Sequence, residues 1–580
     1  AKVSNAVLKS VVEKGILEIY YLQKDRVSFA GSEVLAKKTL NNIQNEALYQ
    51  VQQQFQTKNT VLLQGVTASG KTEIYIELID QYLKAGKQVL YLLPEIALTI
   101  HIINRLKKHF GENLSVYHSK YNTNEHVEVW NNVLNNHPKA QLVVGVRSSV
   151  YLPFKNLGLV VIDEEHDSSY RQFEPAPRLQ ARDSAIMLAN IFKAKTLLGT
   201  ATPSIESMYN VKVSKYGFIY LSKRYANYLP PIIELIDIKD KQHRKRMNGH
   251  FSDVLIEEIT STLSQGRQVL LFQNRRGYAP IVQCMHCGTV PQCPHCDVSL
   301  TFHHSSNQLR CHYCGYAIPM IKTCIACGNV DLNTKGFGTE QISKELEMIF
   351  PQAAIDRMDQ DTTNGKYGYE KILAKFEQQE TQILVGTQMI SKGLDFENIG
   401  LVGVMNADAL IHSPDYRAYE RSFQLLLQVS GRAGRSAQRG KVLIQTYNPQ
   451  HPVIQQVLQN DFKGMYQNQI EERQSFSYPP FVQMIKITLK HTNFNRTNEG
   501  AEWFANALKE AFASKKGIEI LGPEFPLISR IRNEYMKDVL VKVKPSELSI
   551  HHTKEQIKRI ETSFQSISNF RAIRVSYLID

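Results

Sequence analysis

Eight cysteines lie in one short stretch of the chain, in four C-x-x-C pairs. The pairs are Cys284/Cys287, Cys293/Cys296, Cys311/Cys314 and Cys324/Cys327. Two residues between sulfurs let both reach one tetrahedral zinc ion, so four pairs can hold two ions with four thiolates each. The 14-residue gap between Cys296 and Cys311 is close to the length of a ribbon loop, which favours one site from the inner two pairs and one from the outer two. A disulfide cluster is the alternative, but it belongs to an oxidising compartment.

A glycine-rich loop follows the apolar segment Val61–Leu63. Residues Gly65–Thr72 read GVTASGKT and match the G-x-x-x-x-G-K-[ST] pattern of a phosphate-binding loop. Its backbone N–H groups can surround phosphate, Lys71 can neutralise the β/γ-phosphates, and the Thr72 hydroxyl can ligate Mg²⁺. The candidate nucleotide contacts in this loop are Gly65, Thr67, Ser69, Gly70, Lys71 and Thr72.

An acidic motif, DEEH, follows the apolar segment Leu159–Ile162. Asp163 at the end of this strand suits Mg²⁺ coordination, and Glu164 can orient or deprotonate an attacking water. An Asp-Glu pair alone is more typical of a solvated turn, but a buried strand beside a phosphate loop favours a nucleotide site. The small hydroxyl residues of GTATPS (199–204) are expected at the same sheet edge.

A third motif, QVSGRAGR (428–435), places two arginines three residues apart on one side of a helical turn. Arg432 and Arg435 are planar and permanently charged, so they can hold a γ-phosphate across a cleft and stabilise transition-state charge. Surface salt bridging is the alternative. With Gln428, they complete a predicted catalytic set that also contains Lys71, Asp163 and Glu164.

The segments around these motifs alternate between apolar strands and helices. Such alternation implies an α/β fold with a parallel sheet covered on both faces. A second series of strands restarts after Leu229–Pro231, and the cysteine block interrupts it just after its first strand. The predicted strands are Val61–Leu63, Gln88–Leu93, Gln141–Val146, Leu159–Ile162 and Lys195–Leu198, then Gln268–Phe272, Thr381–Val385, Gly400–Val404 and Lys441–Ile444.

The last part of the chain has a different pattern, which predicts a small α+β domain. Its predicted elements are a strand at Val482–Lys490, a helix at Asn495–Ala513 and strands near Val539–Val543 and Phe570–Tyr577.

The charge balance favours a polyanionic partner. Among 580 residues, Lys and Arg exceed Asp and Glu by 68 to 55, a net charge of +13, which points to nucleic acid first. The basic run Lys239–Arg246 is interpreted as a solvated loop, with a nucleic-acid contact as the alternative. No apolar window is long enough to span a membrane and no secretory signal is present, so we expect a cytoplasmic protein with reduced thiols.

The ordered set of motifs resembles a superfamily 2 helicase core. Its further members are LLPEIALT (Leu92–Thr99), NRRGYAP (Asn274–Pro280) and GTQMISKGLDF (Gly386–Phe396). The cysteine block just after NRRGYAP, and LGPEFPLISRIRNEYMKDVL (Leu521–Leu540), narrow the resemblance to the primosomal replication-restart DNA helicases. The resemblance covers essentially the whole chain.

This resemblance implies two RecA-like lobes, with ATP, Mg²⁺ and two Zn²⁺ as cofactors. The expected domains are the tail of a winged-helix-like domain at 1–30, whose front part the sequence lacks, and an ATP-binding lobe at 31–230. They continue with a second lobe at 231–473, which carries a zinc insertion at 280–330, and an α+β domain at 474–580. The resemblance also places Gln44 at the adenine and Asp395 in the nucleotide cleft.

The resemblance further implies a 3′-to-5′ DNA helicase that remodels stalled forks and initiates primosome assembly. Its expected partners are forked and single-stranded DNA, single-strand DNA-binding protein, and primosome or helicase-loading proteins, with no membrane. In an aromatic-rich loop, Tyr170 or Phe173 would stack on bases, while packing under the loop is the alternative. Thr387, Gln388 and Lys392 are expected to touch the DNA backbone. A fork-binding scaffold with ATP as a switch, and an RNA remodeller, are the competing functions.

Overall fold

A computed structural model gives the structure of the chain. It describes residues 39–580, and positions 11, 12, 14 and 16 before them, with short gaps. The gaps are 96–99, 119–120, 225–228, 274–280, 285, 288, 296–297, 304–306, 312–315, 336–337, 360, 364–367, 392–395, 397, 413–414 and 434–438. The predicted winged-helix tail at 1–30 therefore lies outside the described residues, except for those four positions.

The first lobe is a seven-stranded parallel sheet with helices on both faces. Its order is β3-β4-β2-β5-β6-β1-β7. The strands are β1 (Thr60–Gly65), β2 (Gln88–Leu92), β3 (Leu114–Tyr117), β4 (Leu142–Gly145), β5 (Leu157–Asp163), β6 (Lys195–Thr200) and β7 (Gly217–Leu221). The helices are α1 (Asn42–Thr57), α2 (Lys71–Lys84), α3 (Ile100–Phe110), α4 (Thr123–Leu134), α5 (Ala181–Ile191) and α6 (Ile205–Lys212).

Burial on both faces explains why the central strands are continuous apolar runs. In β1, Val61 and Leu63 pack in the core that contains Ile74 of α2, whereas Leu62 packs in the opposite core with Ala185 of α5. Every residue of β5 is buried. The sheet therefore holds Gly65 and Asp163 at the carboxyl ends of two rigid strands.

The second lobe is a six-stranded parallel sheet in the order β17-β18-β11-β19-β20-β8. The strands from this lobe and its insertion are β8 (Ile232–Asp237), β9 (Met247–Asn248), β10 (Phe251–Ser252), β11 (Gln268–Phe272), β12 (Ile281–Cys284), β13 (Thr301–His303), β14 (Gln308–Arg310), β15 (Ala317–Pro319), β16 (Leu332–Lys335), β17 (Ile355–Met358), β18 (Ile383–Gly386), β19 (Ile399–Val404) and β20 (Lys441–Thr446). The helices are α7 (Ile238–His243), α8 (Asp253–Ser264), α9 (Thr339–Ile349), α10 (Gly368–Glu377), α11 (Asp408–Ile411), α12 (Ala418–Ser430), α13 (Pro452–Gln459) and α14 (Phe462–Ser475).

The cysteine-rich insertion leaves this sheet after β11. Antiparallel β12 and β16 form its base, and β13, β14 and β15 form a second small antiparallel sheet. The insertion follows β11 as predicted, but β11 is not the first strand of the lobe. The edge strand β8 precedes β11 in the chain. Only one of the six residues of β8 is buried, so its sequence shows little of the apolar pattern that predicts a strand.

The last domain is an antiparallel sheet, β22-β24-β21-β25, with β23 paired to β24. Its elements are β21 (Gln483–His491), α15 (Phe494–Ala511), β22 (Ile518–Glu524), β23 (Arg530–Ile531), β24 (Glu534–Val543), α16 (Ile550–Ser566) and β25 (Arg574–Ile579). Both helices contribute to one core around Phe504 and Phe564.

The basic run Lys239–Arg246 starts as the short helix α7, not as a loop. Its charges have acidic neighbours: Lys241 pairs with Asp253, and Arg244 with Asp240 at 2.8 Å. Separately, none of the helices in the described residues combines the length and apolarity that a bilayer crossing requires.

Candidate nucleotide site and metal centre

The phosphate-binding loop is built around two glycines that allow close approach. Gly70, which precedes α2, has a φ of 82°, and a Cβ there would lie 2.2 Å from Nε2 of Gln44. A Cβ on Gly65 would lie 2.6 Å from Oγ of Ser69. The Lys71 ammonium donates to the Gly65 carbonyl at 2.9 Å, so the amine lies over the loop.

Gln44 is fixed against this loop by the start of α1. Its side-chain oxygen accepts from the backbone N–H of Asn41 at 3.0 Å, and Asn41 in turn accepts from the N–H of Gln44 at 2.9 Å. Gln44 is buried, with its amide nitrogen 3.5 Å from the Gly70 carbonyl oxygen. The proposed adenine contact is therefore a neighbour of the phosphate loop.

One buried hydroxyl of the loop fits an anion. Among the described residues, the Ser69 hydroxyl has no hydrogen-bond partner, although it is buried. A phosphate oxygen would accept its proton, which removes the cost of leaving a buried donor unpaired. With Lys71 alongside, this part of the chain suits a nucleotide phosphate.

Asp163 lies at the end of β5, and its carboxylate accepts hydrogen bonds from three donors. The hydroxyls of Tyr75 and Tyr91 donate to its two carboxylate oxygens at 3.2 and 3.4 Å, and the N–H of Glu164 donates at 3.1 Å. Burial first, then the charge of Glu164, raises the pKa of Asp163 to about 7, against the lowering effect of Lys71. A divalent cation would favour the ionised form, so this carboxylate fits Mg²⁺.

The other residues of the DEEH motif link β5 to the segment after β6. Glu165 is fully buried and accepts from the Ser204 N–H at 2.7 Å and from Arg182 at 2.8 Å. His166 Nδ1 lies 2.7 Å from the Thr200 hydroxyl and 3.7 Å from the Glu164 carboxylate. The turn that carries Glu164 is thus held against GTATPS (199–204), as expected for a shared sheet edge.

The arginine motif of the second lobe reaches the phosphate loop of the first. Gly431 follows α12 directly, and a Cβ on Gly431 would lie 2.9 Å from the Thr67 hydroxyl. Gln428 is half-buried and Arg432 is buried. Two polypeptide segments from different lobes therefore form one cleft. Arg435 and Asp395 lie outside the described residues.

The aromatic-rich loop does not present both of its aromatic rings. Tyr170 is fully buried, and its hydroxyl donates to the backbone oxygen of Asp163 at 2.6 Å and lies 3.0 Å from that of Leu92. Stacking of a base on Tyr170 is therefore wrong for this structure, because the ring packs under the loop. Phe173 is 54% exposed, with the Arg171 guanidinium 5.6 Å from its ring centre.

The two outer cysteine pairs converge in the insertion. The sulfurs of Cys284, Cys287, Cys324 and Cys327 all lie within 4.8 Å of one another. These four cysteines form no disulfide. Cys293 and Cys311 are buried together in the small core of the insertion, while Cys296 and Cys314 lie outside the described residues.

The environment of the outer sulfurs favours a bound cation. Hydrogen bonds with the side chain and the backbone of Thr289 lower the pKa of Cys287 to about 6. A backbone hydrogen bond from Asn329 lowers the pKa of Cys327, but the neighbouring sulfurs, Cys287 first, raise it to about 12. Because close thiolates repel each other, all four can ionise together only around a cation, and four thiolates are a zinc ligand set.

Four protein-family models match the chain, in an order that follows its domains. They are DEAD/DEAH box helicase at residues 41–211, the PriA DNA helicase Cys-rich region at 293–319, the helicase conserved C-terminal domain at 333–437 and the primosomal protein N C-terminal domain at 474–577. Among solved structures, RecG bound to a three-way DNA junction is similar with a TM-score of 0.44 and 15% identity, over 81% of this chain and 49% of that chain.

Curated relatives that match nearly the whole of this chain agree with these family models. The replication restart protein PriA of Bacillus subtilis (strain 168) is 39% identical, over 96% of this chain and 70% of its own length. That of Haemophilus influenzae is 37% identical, over 96% of this chain and 76% of its own length. The chain belongs to the PriA family. This PriA-family protein is an ATP-dependent DNA helicase, and the expected architecture of two RecA-like lobes, zinc-ribbon insertion and small last domain is confirmed.

Several residue contacts at the candidate nucleotide site were not predicted from the sequence. Tyr75 and Tyr91 contact Asp163, yet neither belongs to a phosphate-loop or metal-ligand pattern. Glu165 is part of the DEEH motif, but its contact with the Ser204 N–H was not predicted. Gly199 offers one local signal, since a Cβ there would lie 1.6 Å from the Tyr75 hydroxyl. A glycine near the end of a buried strand thus indicates that a large side chain, here Tyr75, packs directly against the backbone at that position.

Replacing Tyr75 by phenylalanine is expected to raise the Mg²⁺ concentration for half-maximal ATPase activity by about tenfold. The change removes a hydroxyl that orients Asp163, and losing such a group costs about 10–100-fold in metal affinity. Mg²⁺ titration of the ATPase measures the effect. Tyr82→Phe, on the same helix, is the control. An unchanged Mg²⁺ requirement in Tyr75→Phe would contradict the orienting role.

Proposed function

We propose that the chain is a 3′-to-5′ DNA helicase that binds and remodels stalled replication forks and initiates primosome assembly for replication restart. The contact between Gly431 and Thr67 carries the motor part of this proposal, because it brings the arginine motif of one lobe to the phosphate loop of the other. Hydrolysis in such a cleft can drive the lobes along a strand. Family membership supports the restart role, since the similar proteins are named replication restart proteins.

The proposed division of labour follows the geometry of the cleft. Lys71 neutralises phosphate, Thr72 and Asp163 hold Mg²⁺, and Glu164 orients or deprotonates the attacking water. Gln428, Arg432 and Arg435 act from the second lobe, where the arginines stabilise charge on the transferred phosphoryl group. Mg²⁺, once bound, neutralises charge on the β/γ-phosphates. Gln44 and Asp395 contact the nucleotide, and Gly65, Thr67, Ser69 and Gly70 supply the phosphate loop.

The proposed domain division assigns residues 31–230 and 231–473 to the two lobes, 280–330 to the zinc insertion and 474–580 to the last domain. We propose two zinc ions per chain, one on the outer cysteine pairs and one on the inner pairs. The insertion and the last domain are in contact, since the Asn533 N–H donates to the His295 carbonyl at 2.7 Å. This junction is a suitable surface for DNA, single-strand DNA-binding protein or primosome proteins.

ATPase and unwinding assays on defined DNA test the proposed function. Single-stranded and forked DNA are expected to stimulate ATP hydrolysis more than duplex or RNA, and unwinding should require a 3′ single-stranded segment on the translocating strand. Greater stimulation by RNA would favour an RNA remodeller. Helicase loading that persists fully in Lys71→Ala, with ATPase lost, would favour the scaffold with ATP as a switch. Equal unwinding from both polarities would contradict the proposed direction.

Replacing Phe173 by alanine is expected to raise the single-stranded DNA concentration for half-maximal ATPase stimulation by about tenfold. The exposed ring can stack on a base, a contact that contributes about 1–3 kcal/mol per base. DNA titration of the ATPase measures the change, with DNA-free activity as the internal reference. Tyr220→Ala removes another exposed aromatic of the same lobe and is expected to leave the titration unaltered. The same DNA requirement in Phe173→Ala and wild type would rule out this contact.

A further inference from the structure

A buried cluster of charged side chains joins the two lobes next to the nucleotide cleft. This charge cluster consists of Glu206 in α6, Arg417 and Glu420 at the start of α12, and Arg473 in α14. Glu206 accepts from Arg417 at 2.9 Å and from Arg473 at 3.1 Å, and Arg473 also pairs with Glu420. The side chains of Arg473 and Glu420 are only 1% and 4% exposed. Glu206 belongs to the first lobe, so the cluster crosses between the lobes.

The charges of the cluster balance, which is why they can be buried. Burial opposes ionisation of Glu206, but Arg417 and then Arg473 hold its pKa well below the usual range. Two carboxylates face two guanidinium groups at hydrogen-bond distance. Removing one partner would leave a buried charge uncompensated, which is strongly unfavourable. A specific charge pairing therefore joins the lobes, alongside the apolar packing of Ile205 in the core of the second lobe.

The cluster begins a polar stripe along α12 that ends at the arginine motif. Glu420 accepts from the Ile205 N–H at 2.9 Å. One turn later, Gln424 donates to the Thr202 and Pro203 carbonyls, at 3.4 Å each. Gln428 follows after another turn, on the same helix face. Gly431, which packs against Thr67, and Arg432 come directly after the helix.

The same cluster is tied to the last domain. Arg473 donates to the Pro479 carbonyl at 3.2 Å, and Arg417 pairs with Asp580 at 3.0 Å. Asp580 also pairs with Arg171 of the aromatic-rich loop. The charge cluster thus lies where both lobes and the last domain meet, and its geometry depends on all three.

We propose that Glu206, Arg417, Glu420 and Arg473 are positioning residues for ATP hydrolysis. They hold α12 against residues 200–205 of the first lobe, and this docking sets where Gln428 and Arg432 stand relative to the phosphate loop. None of the four belongs to the proposed nucleotide contacts, so they act through α12. The inference rests on the proposed roles of Gln428 and Arg432.

Steady-state ATPase kinetics of the full chain with Glu420→Gln test this role. The amide oxygen can still accept from the Ile205 N–H, but the charge that faces Arg473 is lost. With saturating single-stranded DNA, kcat is expected to fall about 10- to 100-fold, because small misplacement of a group that stabilises the transition state is costly. The KM for ATP is expected to stay within about twofold, since the phosphate loop itself is unchanged.

Two further variants separate positioning from stability. Glu345→Gln removes a partly buried charge that pairs with His250 inside the second lobe, so it is expected to lower the Tm without lowering kcat. Gln424→Met removes the hydrogen bonds of an uncharged side chain of the same stripe, including the one that Gln424 donates to Glu420 at 3.3 Å, while Glu420 keeps its pairing with Arg473. This variant therefore reports on docking if Glu420→Gln fails to fold. Its kcat is expected to fall about tenfold.

The outcomes distinguish this inference from the proposed function. A kcat within about twofold of wild type in folded Glu420→Gln, or in Gln424→Met where Glu420→Gln does not fold, would overturn the positioning role. An Arg432→Ala variant assayed in parallel provides the reference. If Arg432→Ala loses activity while the stripe variants keep it, only the positioning inference fails. If Arg432→Ala is fully active, the proposed role of the arginine motif fails instead.

Discussion

Replacing Arg432 by alanine is expected to lower kcat of the DNA-stimulated ATPase by about 10³-fold or more, the range found when a transition-state arginine is removed from a phosphoryl-transfer site. Arg432 is buried and directly follows Gly431, which contacts Thr67 of the phosphate loop. ATP affinity should change little, because Lys71 and the loop backbone lie in the other lobe. Steady-state kinetics together with binding of a labelled nucleotide measure both quantities.

Two companion variants sharpen the test of Arg432. Arg432→Lys keeps the charge but loses the planar, two-pronged guanidinium, so an intermediate loss of kcat is expected. Arg421→Ala removes a half-buried arginine of α12 that pairs with Asp415, and it should retain wild-type kcat. A loss in Arg432→Ala that appears only as weaker ATP binding, with kcat intact, would contradict a role in the transition state.

Replacing Cys284 by serine is expected to reduce the zinc content from about two ions per chain to about one and to unfold the outer part of the insertion. Its sulfur lies 3.7 Å from that of Cys327, within the four-sulfur group. The insertion has only a small core of its own, and structural zinc contributes about 10–16 kcal/mol of apparent binding energy at such sites. Metal analysis and protease sensitivity of the 280–330 segment measure the outcome.

The loss of this ion should leave most of the motor intact. Both lobes have cores of their own, so DNA-stimulated ATPase is expected to persist in Cys284→Ser. His286→Ala changes an exposed residue within the same cysteine pair and should retain both ions. A Cys284→Ser protein with full zinc content and a protease-resistant insertion would show that the outer sulfurs do not bind the metal.

In the two parallel sheets, the strands that the sequence predicted correctly share one property, which is burial on both faces. β1, β2, β5 and β11 are completely buried, and each contains an unbroken apolar run: Val61–Leu63, Val89–Leu92, Leu159–Ile162 and Val269–Phe272. The strands of the two parallel sheets that were missed are β3, β7, β8 and β17, which form the four sheet edges. An edge strand covers less apolar surface and therefore needs fewer apolar residues. In β8 and β17 only one residue each is buried.

The sequence by itself determined the chemistry that a few neighbouring residues can specify. The phosphate loop, the cysteine pairs and the carboxylate at the end of β5 depend on backbone geometry over four to eight positions, so their spacing is visible without the fold. The tertiary structure alone decided that Tyr170 packs under its loop, that Tyr75 and Tyr91 hold Asp163, and that Glu206 meets Arg417 and Arg473 across the lobes. These contacts join distant parts of the chain, and several of them depend on how the domains dock, so no local spacing encodes them.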